Sequence, residues 1–197
     1  MPLSSVVGAQ SVVKPGVCTS STRPASPYEG QMIYETDTDV LAIWNGSAWK
    51  QLAAATKTGS VLQIVTASYS TQLISSTATY ADTGLTATIT PSSTSNKILV
   101  MVQQGGVLKN TSAADAACNL RLMRDATQLV AVVEIGKNGT NNYNSVGNTP
   151  IIHLDSPATT SAVTYKTQYA SFNGYANGAY VQYNGNVSTV TLMEIAG

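Results

Sequence analysis

The chain has 197 residues, of which only 10% are charged, with ten basic and ten acidic side chains and a formal net charge of zero. That balance leaves no basic footprint for a phosphate backbone, so nucleic acid is not expected as a partner. No apolar run approaches the roughly 20 residues that a bilayer-spanning helix needs, so no membrane is expected either.

Ser and Thr account for 46 of the 197 residues, and Val, Ile and Tyr recur beside them. These side chains fit a pleated, half-buried surface, which points to strands. So little charge is unusual for a protein that stays soluble as a monomer. It suits a chain whose surface is covered by copies of itself or by a larger assembly.

Residues 1–27 are rich in Ser, Val and Pro, with Pro15, Pro24 and Pro27 and no sustained periodicity. Such a segment buries no core of its own and reads as an extended tail. The apolar pairs Val6-Val7 and Val12-Val13 make it a docking segment. The opening MPLSSVVGAQSVVKPG lacks the basic start and long apolar centre of a secretory signal.

Residues 28–52 read as a small three-stranded meander, with strands at 32–35, 40–44 and 49–52. The first turn is TDTD, where Asp37 and Asp39 serve turn chemistry. The second carries Asn45-Gly46, a strong signal for a two-residue type I′ hairpin turn. That register sets Ala42 opposite Trp49 and makes Trp44 and Trp49 diagonal neighbours on one face. Val40 and Ile33 join them in a structural clasp, because a sheet this small needs the burial that two indoles supply.

Residues 53–59, AAATKTG, read as a linker, and 60–197 as one β-rich domain. Its candidate strands are 61–66, 72–75, 78–80, 85–90, 97–107, 119–124, 129–135, 151–154, 162–170, 179–183 and 190–195. Thr83-Gly84, the 91–96 run, Asp125, the loop GKNGTNNYNSVGN, Ser156-Pro157 and the Asn-Gly pairs at 173, 177 and 184 supply turn signals between them. Short strands at this spacing mean a β-sandwich or barrel. A short helical turn over 111–120 is the one departure from strands that the pattern admits.

Chemistry is sparse. His153 is the single histidine, in the apolar context PIIHLDSP, with no second His or Cys near it to build a metal site. The two cysteines, Cys18 and Cys118, are far apart and read as free thiols. Glu35, Asp37, Asp39, Glu134, Asp155 and Glu194 form no evident acid pair. No nucleophile elbow or phosphate loop is present. Catalysis, cofactors and metals are therefore not expected. Surface recognition is the better candidate. Tyr175, Tyr180 and Tyr183 lie among Asn and Gly near the C-terminus, and Tyr143 sits in the long polar loop. Aromatic faces flanked by amides suit contact with a glycan, although alternate tyrosines in a strand are also ordinary sheet packing.

Two stretches resemble known proteins. RPASPYEGQMIYETDTDVLAIWNGSAWKQL (23–52) resembles a module common in bacteriophage structural proteins, through Gly30, Gln31, Ile33, Tyr34, Thr36, Asp37, Trp44, Asn45, Gly46 and Trp49. VLQIVTASYSTQLISSTATYADTGLTATITPSSTSNKILVMV (61–102) resembles the opening of a domain seen in phage tail fibres and related virion appendages, particularly of marine and cyanobacterial phages. Its most specific phrase is DTGLTATITPSSTSNKILV (82–100), and LDSPATTSAVTYKTQY (154–169) and TLMEIAG (191–197) match later blocks. The resemblance implies an all-β, homotrimeric, jelly-roll-like β-sandwich displayed on a virion and attached through its N-terminal region to capsid or tail-adaptor proteins. It implies a non-enzymatic structural protein, assembled in the host cytoplasm, that contacts host surface glycan through its outer loops. The near absence of a shaft between the two modules favours a short tail fibre, a head fibre or a capsid decoration protein. A carbohydrate-binding module using the tryptophans as a platform is the reading from another class, and a small glycan-cleaving spike domain a remoter one.

Overall fold

The computed structural model describes residues 15–52, 58–137 and 146–197. Val6, Val7, Val12 and Val13, expected to dock, most of the linker, and Tyr143 lie outside the described residues. The chain divides into two compact units, 1–56 and 57–197. Among the described residues there is no α-helix, and two short 3-10 turns accompany fourteen strands.

The first unit is one sheet in the order β1-β2-β3-β4. Strands β2 (Met32–Glu35), β3 (Val40–Trp44) and β4 (Trp49–Gln51) form the expected meander. The sheet has a fourth strand that the sequence reading missed. β1 (Gly16–Cys18) pairs in parallel with β2, setting Gly16, Val17 and Cys18 beside Ile33, Tyr34 and Glu35. The tail boundary at residue 27 is therefore corrected, since residues from 16 onward belong to the module. The physical reason is the open edge of β2, whose backbone groups need a partner. A three-residue strand with one half-buried side chain leaves no periodicity to read.

The second unit is built from eight long strands: β5 (Val61–Tyr69), β7 (Ala81–Ile89), β8 (Lys97–Val107), β9 (Cys118–Arg124), β10 (Thr127–Ile135), β11 (Gly147–Asp155), β12 (Val163–Ser171) and β14 (Ser188–Ile195). They form two sheets, β10-β9-β12-β7 and β11-β8-β14-β5. Every pairing is antiparallel, and the partners nest: β5 with β14, β7 with β12, β8 with β11, β9 with β10. This is a single long hairpin, folded at Asp125 and Ala126, then rolled until β14 meets β8 and β12 meets β9. A rolled hairpin of four successive pairs is a jelly roll, so the second unit is a jelly-roll β-sandwich. Rolling leaves two sheets to close on each other and needs no helix. A short pair, β6 (Leu73–Ser75) with β13 (Ala179–Val181), adds a lip at one end.

Alternation along the strands fills the space between the sheets. Leu85, Ala87 and Ile89 of β7 meet Ile98, Val100 and Val102 of β8, with Leu122, Ile151, Val163, Tyr165, Val190 and Leu192. A second cluster of Val107, Cys118, Leu120, Tyr169, Ala179 and Val181 continues the core toward the lip. The segment 111–120 holds no helix; it turns at Ala114-Asp115, with Ala116 N–H donating to the Ala113 carbonyl at 3.1 Å, and enters β9.

One turn signal misled. Thr83-Gly84 lies inside β7, and residues 78–80 are not a strand. Gly84 has φ +83° and sits where the β7–β12 register shifts, between the pairs Lys166–Thr86 and Gln168–Asp82. It marks a bulge, where Thr83, Gly84 and Leu85 oppose Thr167 alone, and a glycine in the left-handed region admits the two extra residues without ending the strand. The Tyr69 ring fills the space a side chain would take, and a Cβ at Gly84 would lie 2.3 Å from it. Gly84→Ala is expected to cost about 2 kcal/mol, from the positive φ and the overlap together, read as a lower urea midpoint with unchanged slope.

Candidate functional site

The N-terminal module carries the ten residues named for the first resemblance, and each has a definable structural task. Trp44 and Trp49 are direct cross-strand partners. Their rings meet edge to face, with centroids 5.6 Å apart and planes at 61°. This corrects the diagonal register. The turn contains four residues, because the Asn45 side chain closes it: Oδ1 accepts from Ser47 N–H at 3.1 Å, Ser47 Oγ at 3.1 Å and Ala48 N–H at 2.9 Å. Asn45 N–H in turn donates to the Ala48 carbonyl at 3.2 Å. An Asx turn of this kind competes with the two-residue hairpin, and Gly46 at φ +92° completes it.

The registers place Ile33, Val40, Trp44 and Trp49 on one face of the sheet, together with Glu35 and Ala42. Ile33, Glu35 and Ala42 are fully buried, whereas both indoles are half-buried. Glu35 is the exception in an apolar setting. Arg23 reaches it from the segment after β1, its Nε donating to the carboxylate, and Thr38 Oγ1 donates at 2.9 Å. The Arg23 guanidinium holds the Glu35 carboxyl below its ordinary range. Asp37 fastens the same segment, accepting from Ser20 Oγ at 2.6 Å and Ser20 N–H at 2.8 Å, and the Ser20 hydroxyl and amide lower its proton affinity. Tyr34 Oη donates to Asp39 at 2.6 Å. Gly30 N–H donates to the Trp44 carbonyl at 2.8 Å, Gln31 Oε1 accepts from Tyr28 N–H at 3.3 Å, and Thr36 N–H donates to the Cys18 carbonyl at 3.0 Å. The motif thus spells a self-closing fold element.

The aromatic candidates at the lip divide. Tyr180 is buried, which corrects its expected place at the surface. It lies in β13, its backbone pairs with Leu108, and its hydroxyl accepts from Asn110 Nδ2 at 3.0 Å. The ring faces neighbours and offers no stacking surface. Tyr183 is half-buried in a 3-10 turn and packs edge to face on Tyr180, with centroids 5.8 Å apart. Tyr175 is half-buried in the preceding loop. Asn173, Asn177 and Asn184 all take positive φ, so the Asn-Gly pairs do act as turns.

Asp155 and Glu194 are held in structural networks. Asp155 accepts two bonds from Arg124 Nη1, at 2.9 and 2.8 Å, and one from the buried Tyr165 hydroxyl at 2.7 Å. His153 is half-buried in β11 opposite Val100. Glu194 is buried beneath Gln63 Nε2 at 2.6 Å, Ser92 N–H at 2.6 Å, Ser92 Oγ at 2.8 Å and Asn96 Nδ2 at 2.6 Å. Burial raises its affinity for a proton, but these donors outweigh burial and set its pKa at about 2. Among the described residues, no three His, Cys, Asp or Glu side chains gather to hold a metal. No helix among them is long and apolar enough to cross a membrane. Both cysteines are free thiols. Burial pushes the Cys118 thiol up to about 12, while Cys18 is half-buried at the edge of the first sheet. A disulfide reagent is expected to modify Cys18 alone in the folded protein and both cysteines after denaturation, checked by mass spectrometry of the labelled peptides.

A buried polar seam escaped the sequence reading. The hydroxyls of Thr83 (β7) and Thr167 (β12) are 2.6 Å apart. Thr167 Oγ1 donates to Gln104 Oε1 (β8) at 2.8 Å, and Gln104 Nε2 donates to Ser188 Oγ (β14) at 2.8 Å. Gln182 Nε2 and Gly105 N–H reach the same hydroxyl, each at 2.9 Å. The seam joins the two sheets through the core. Its polar atoms lie where the alternation of each strand demands an inward side chain. Two shallow depressions lie on the outer surfaces, of about 280 Å³ beside Asp82 and Lys166 and about 400 Å³ beside Thr66 and Thr191. In the first, Asp82 and Lys166 are spent on each other in an ion pair at 2.9 Å, and the second is lined by no titratable side chain.

No family model and no curated protein matches the sequence. Among solved structures the chain is similar to that of the infectious bursal disease virus Gx strain, at 14% identity and a TM-score of 0.39, over 78% of this chain and 36% of that one. It is similar to the VP2 subviral particle of the same virus at 12% identity and a TM-score of 0.34, over 78% and 36%. T=1 particles derived from that virus give 11% identity and a TM-score of 0.36, over 77% and 39%. The chain spans well under half the length of these proteins.

Proposed function

We propose that this chain is a non-enzymatic structural protein of a phage particle, a homotrimeric short tail fibre or head fibre that carries a jelly roll outward. Its N-terminal region docks on capsid or tail-adaptor proteins, and its outer loops contact host surface glycan. Assembly takes place in the host cytoplasm. The observation that carries this reading is the module around Trp44 and Trp49. All ten residues of the phage-like motif serve its own closure: a buried Ile33, a capped Asn45 turn, an Asp37 latch and an edge-to-face indole pair. A motif spent entirely on a small rigid fold is a connector. A sugar platform would need flat, exposed indole faces, and both indoles are half-buried.

Removal of residues 1–14 is the sharper docking test, since residues from 16 onward are part of the sheet. The truncated chain is expected to fold and oligomerise as the full chain does, yet to be missing from assembled particles. Normal incorporation would refute docking through this segment. Antibody labelling of intact particles separates the fibre from a capsid decoration protein, which labels the shell at many sites.

A further inference from the structure

The two sheets of the jelly roll present opposite outer faces. Sheet β10-β9-β12-β7 shows a mainly polar surface with Val133 exposed on its edge strand; Lys166 Nζ meets Asp82 at 2.9 Å, Gln168 Nε2 donates to Asp82 at 2.6 Å, and Arg121 donates to Gln168 at 2.8 Å. Sheet β11-β8-β14-β5 does not. The registers align Leu154, Leu99, Met193 and Ile64 in one row across all four strands. The next row is Ile152, Met101, Thr191 and Thr66. Ile152 is 70% exposed, Ile64 57% and Leu154 51%. A continuous apolar band crossing a whole sheet face is not a scatter of single surface residues, and it marks a surface that is covered in use.

Charge and area select the occupant. The only charged side chain pointing outward from these four strands is Lys97, at one end beside Ile195; Asp155 and Glu194 turn inward and are buried. A charged partner therefore finds no complement here. Another copy does, because the same uncharged face meets it and the chain has zero net charge, so copies approach without repulsion. Four strands spaced ~4.8 Å apart and about eight residues long give roughly 500 Å² of face per copy. Three such faces turned toward a common axis remove about 1,500 Å² from solvent in all, the scale of a stable specific assembly.

We infer that the outer face of sheet β11-β8-β14-β5 is the surface on which copies of this chain pack against each other. This rests on the trimeric reading above and adds which surface holds the trimer: each copy turns its row of Leu154, Leu99, Met193 and Ile64 toward its neighbours. The sister sheet stays in solvent.

Light scattering on the full chain tests both levels. Ile152→Lys and Leu154→Lys place a charge on residues exposed enough that the jelly roll itself still folds, which circular dichroism checks. Thr88→Lys, on the outer face of the other sheet, is the control. The expected result is a trimer for the wild type and the control, with the dissociation concentration raised at least tenfold in both β11 variants. A wild-type trimer that all three variants retain would overturn this surface and leave the trimer standing. Loss of assembly in the control as well would also overturn it, because the effect would not belong to this face. A wild type that is monomeric at 100-micromolar-order concentration would overturn the surface and the trimer together. A wild-type dimer abolished only by the β11 variants would support the surface and overturn the threefold arrangement.

Discussion

Replacing Glu194 by Gln is expected to lower the stability of the jelly roll by about 3 kcal/mol at neutral pH. The carboxylate is buried and accepts from Gln63 of β5 and from Ser92 and Asn96 of the loop before β8, two separate parts of the chain. An amide at this place must turn one N–H toward a donor and leaves buried groups unsatisfied. The pH dependence follows from the depressed pKa. The carboxyl titrates at about 2 in the folded chain against 4.5 when unperturbed, so the unfolded state binds the proton more readily. The contribution is complete above pH 4.5 and is lost as pH falls from there toward 2. The wild type should therefore lose about 3 kcal/mol across that window through this group, at 1.36 kcal/mol per unit. The Gln variant should lack that part of the acid sensitivity, so the two stability curves converge at low pH. Urea titrations at pH 7 and near pH 3 measure both. Parallel curves would show that the donors do not hold the carboxylate charged.

Replacing Gln104 by Leu is expected to cost about 2–3 kcal/mol, although Leu is apolar and the site is fully buried. Removal of the amide leaves the Thr167 hydroxyl without its acceptor and takes one donor from Ser188. Low surrounding polarity makes each orphan expensive. The double variant Gln104→Leu with Thr167→Val should recover part of the loss, because the pair is then removed together. Thermal denaturation of the two single variants and the double variant closes the cycle. Strict additivity would show that the seam is a set of independent bonds and not a bridge between the sheets.

Much of the architecture could be read before any coordinates. β8 keeps an inward-outward alternation over residues 97–104 and β12 over 163–169, and turn residues precede both. Such strands declare themselves because packing against the opposite sheet enforces the period. What the residues alone did not give was the pairing: β5 with β14 joins residues more than a hundred positions apart, and nothing local selects it. The resemblance to phage appendages implied a jelly roll, and the nested registers have that topology.

The misread places share a cause. At Asn45-Gly46, Thr83-Gly84 and Tyr180 residue type points one way, while a neighbour decides the outcome. The Asn45 carbonyl oxygen captured the Ser47 and Ala48 amides and lengthened the turn. Gly84 was kept in a strand because Tyr69 occupies its side-chain space. Tyr180 was drawn inward by its pairing with Leu108 and its bond from Asn110. The polar seam was legible in principle. Thr83, Gln104 and Thr167 lie in the same inward phase as Leu85, Val102 and Tyr165, and a polar residue in that phase signals a buried partner. The outer face was legible by the same logic, since Leu99, Met101, Ile152 and Leu154 occupy the outward phase where polar residues belong. Fold and surface were therefore encoded in phase, but only the topology tells which phase faces the core and which rows align.

The proposal that this chain is a trimeric part of a phage particle is tested most directly on purified particles. Particles are dissociated gently, and the mass of the complex containing this chain is measured by native mass spectrometry. The expected result is three copies, alone or bound to one virion protein through the N-terminal region. Absence of the chain from purified particles, or its recovery only as a monomer, would contradict a trimeric structural role.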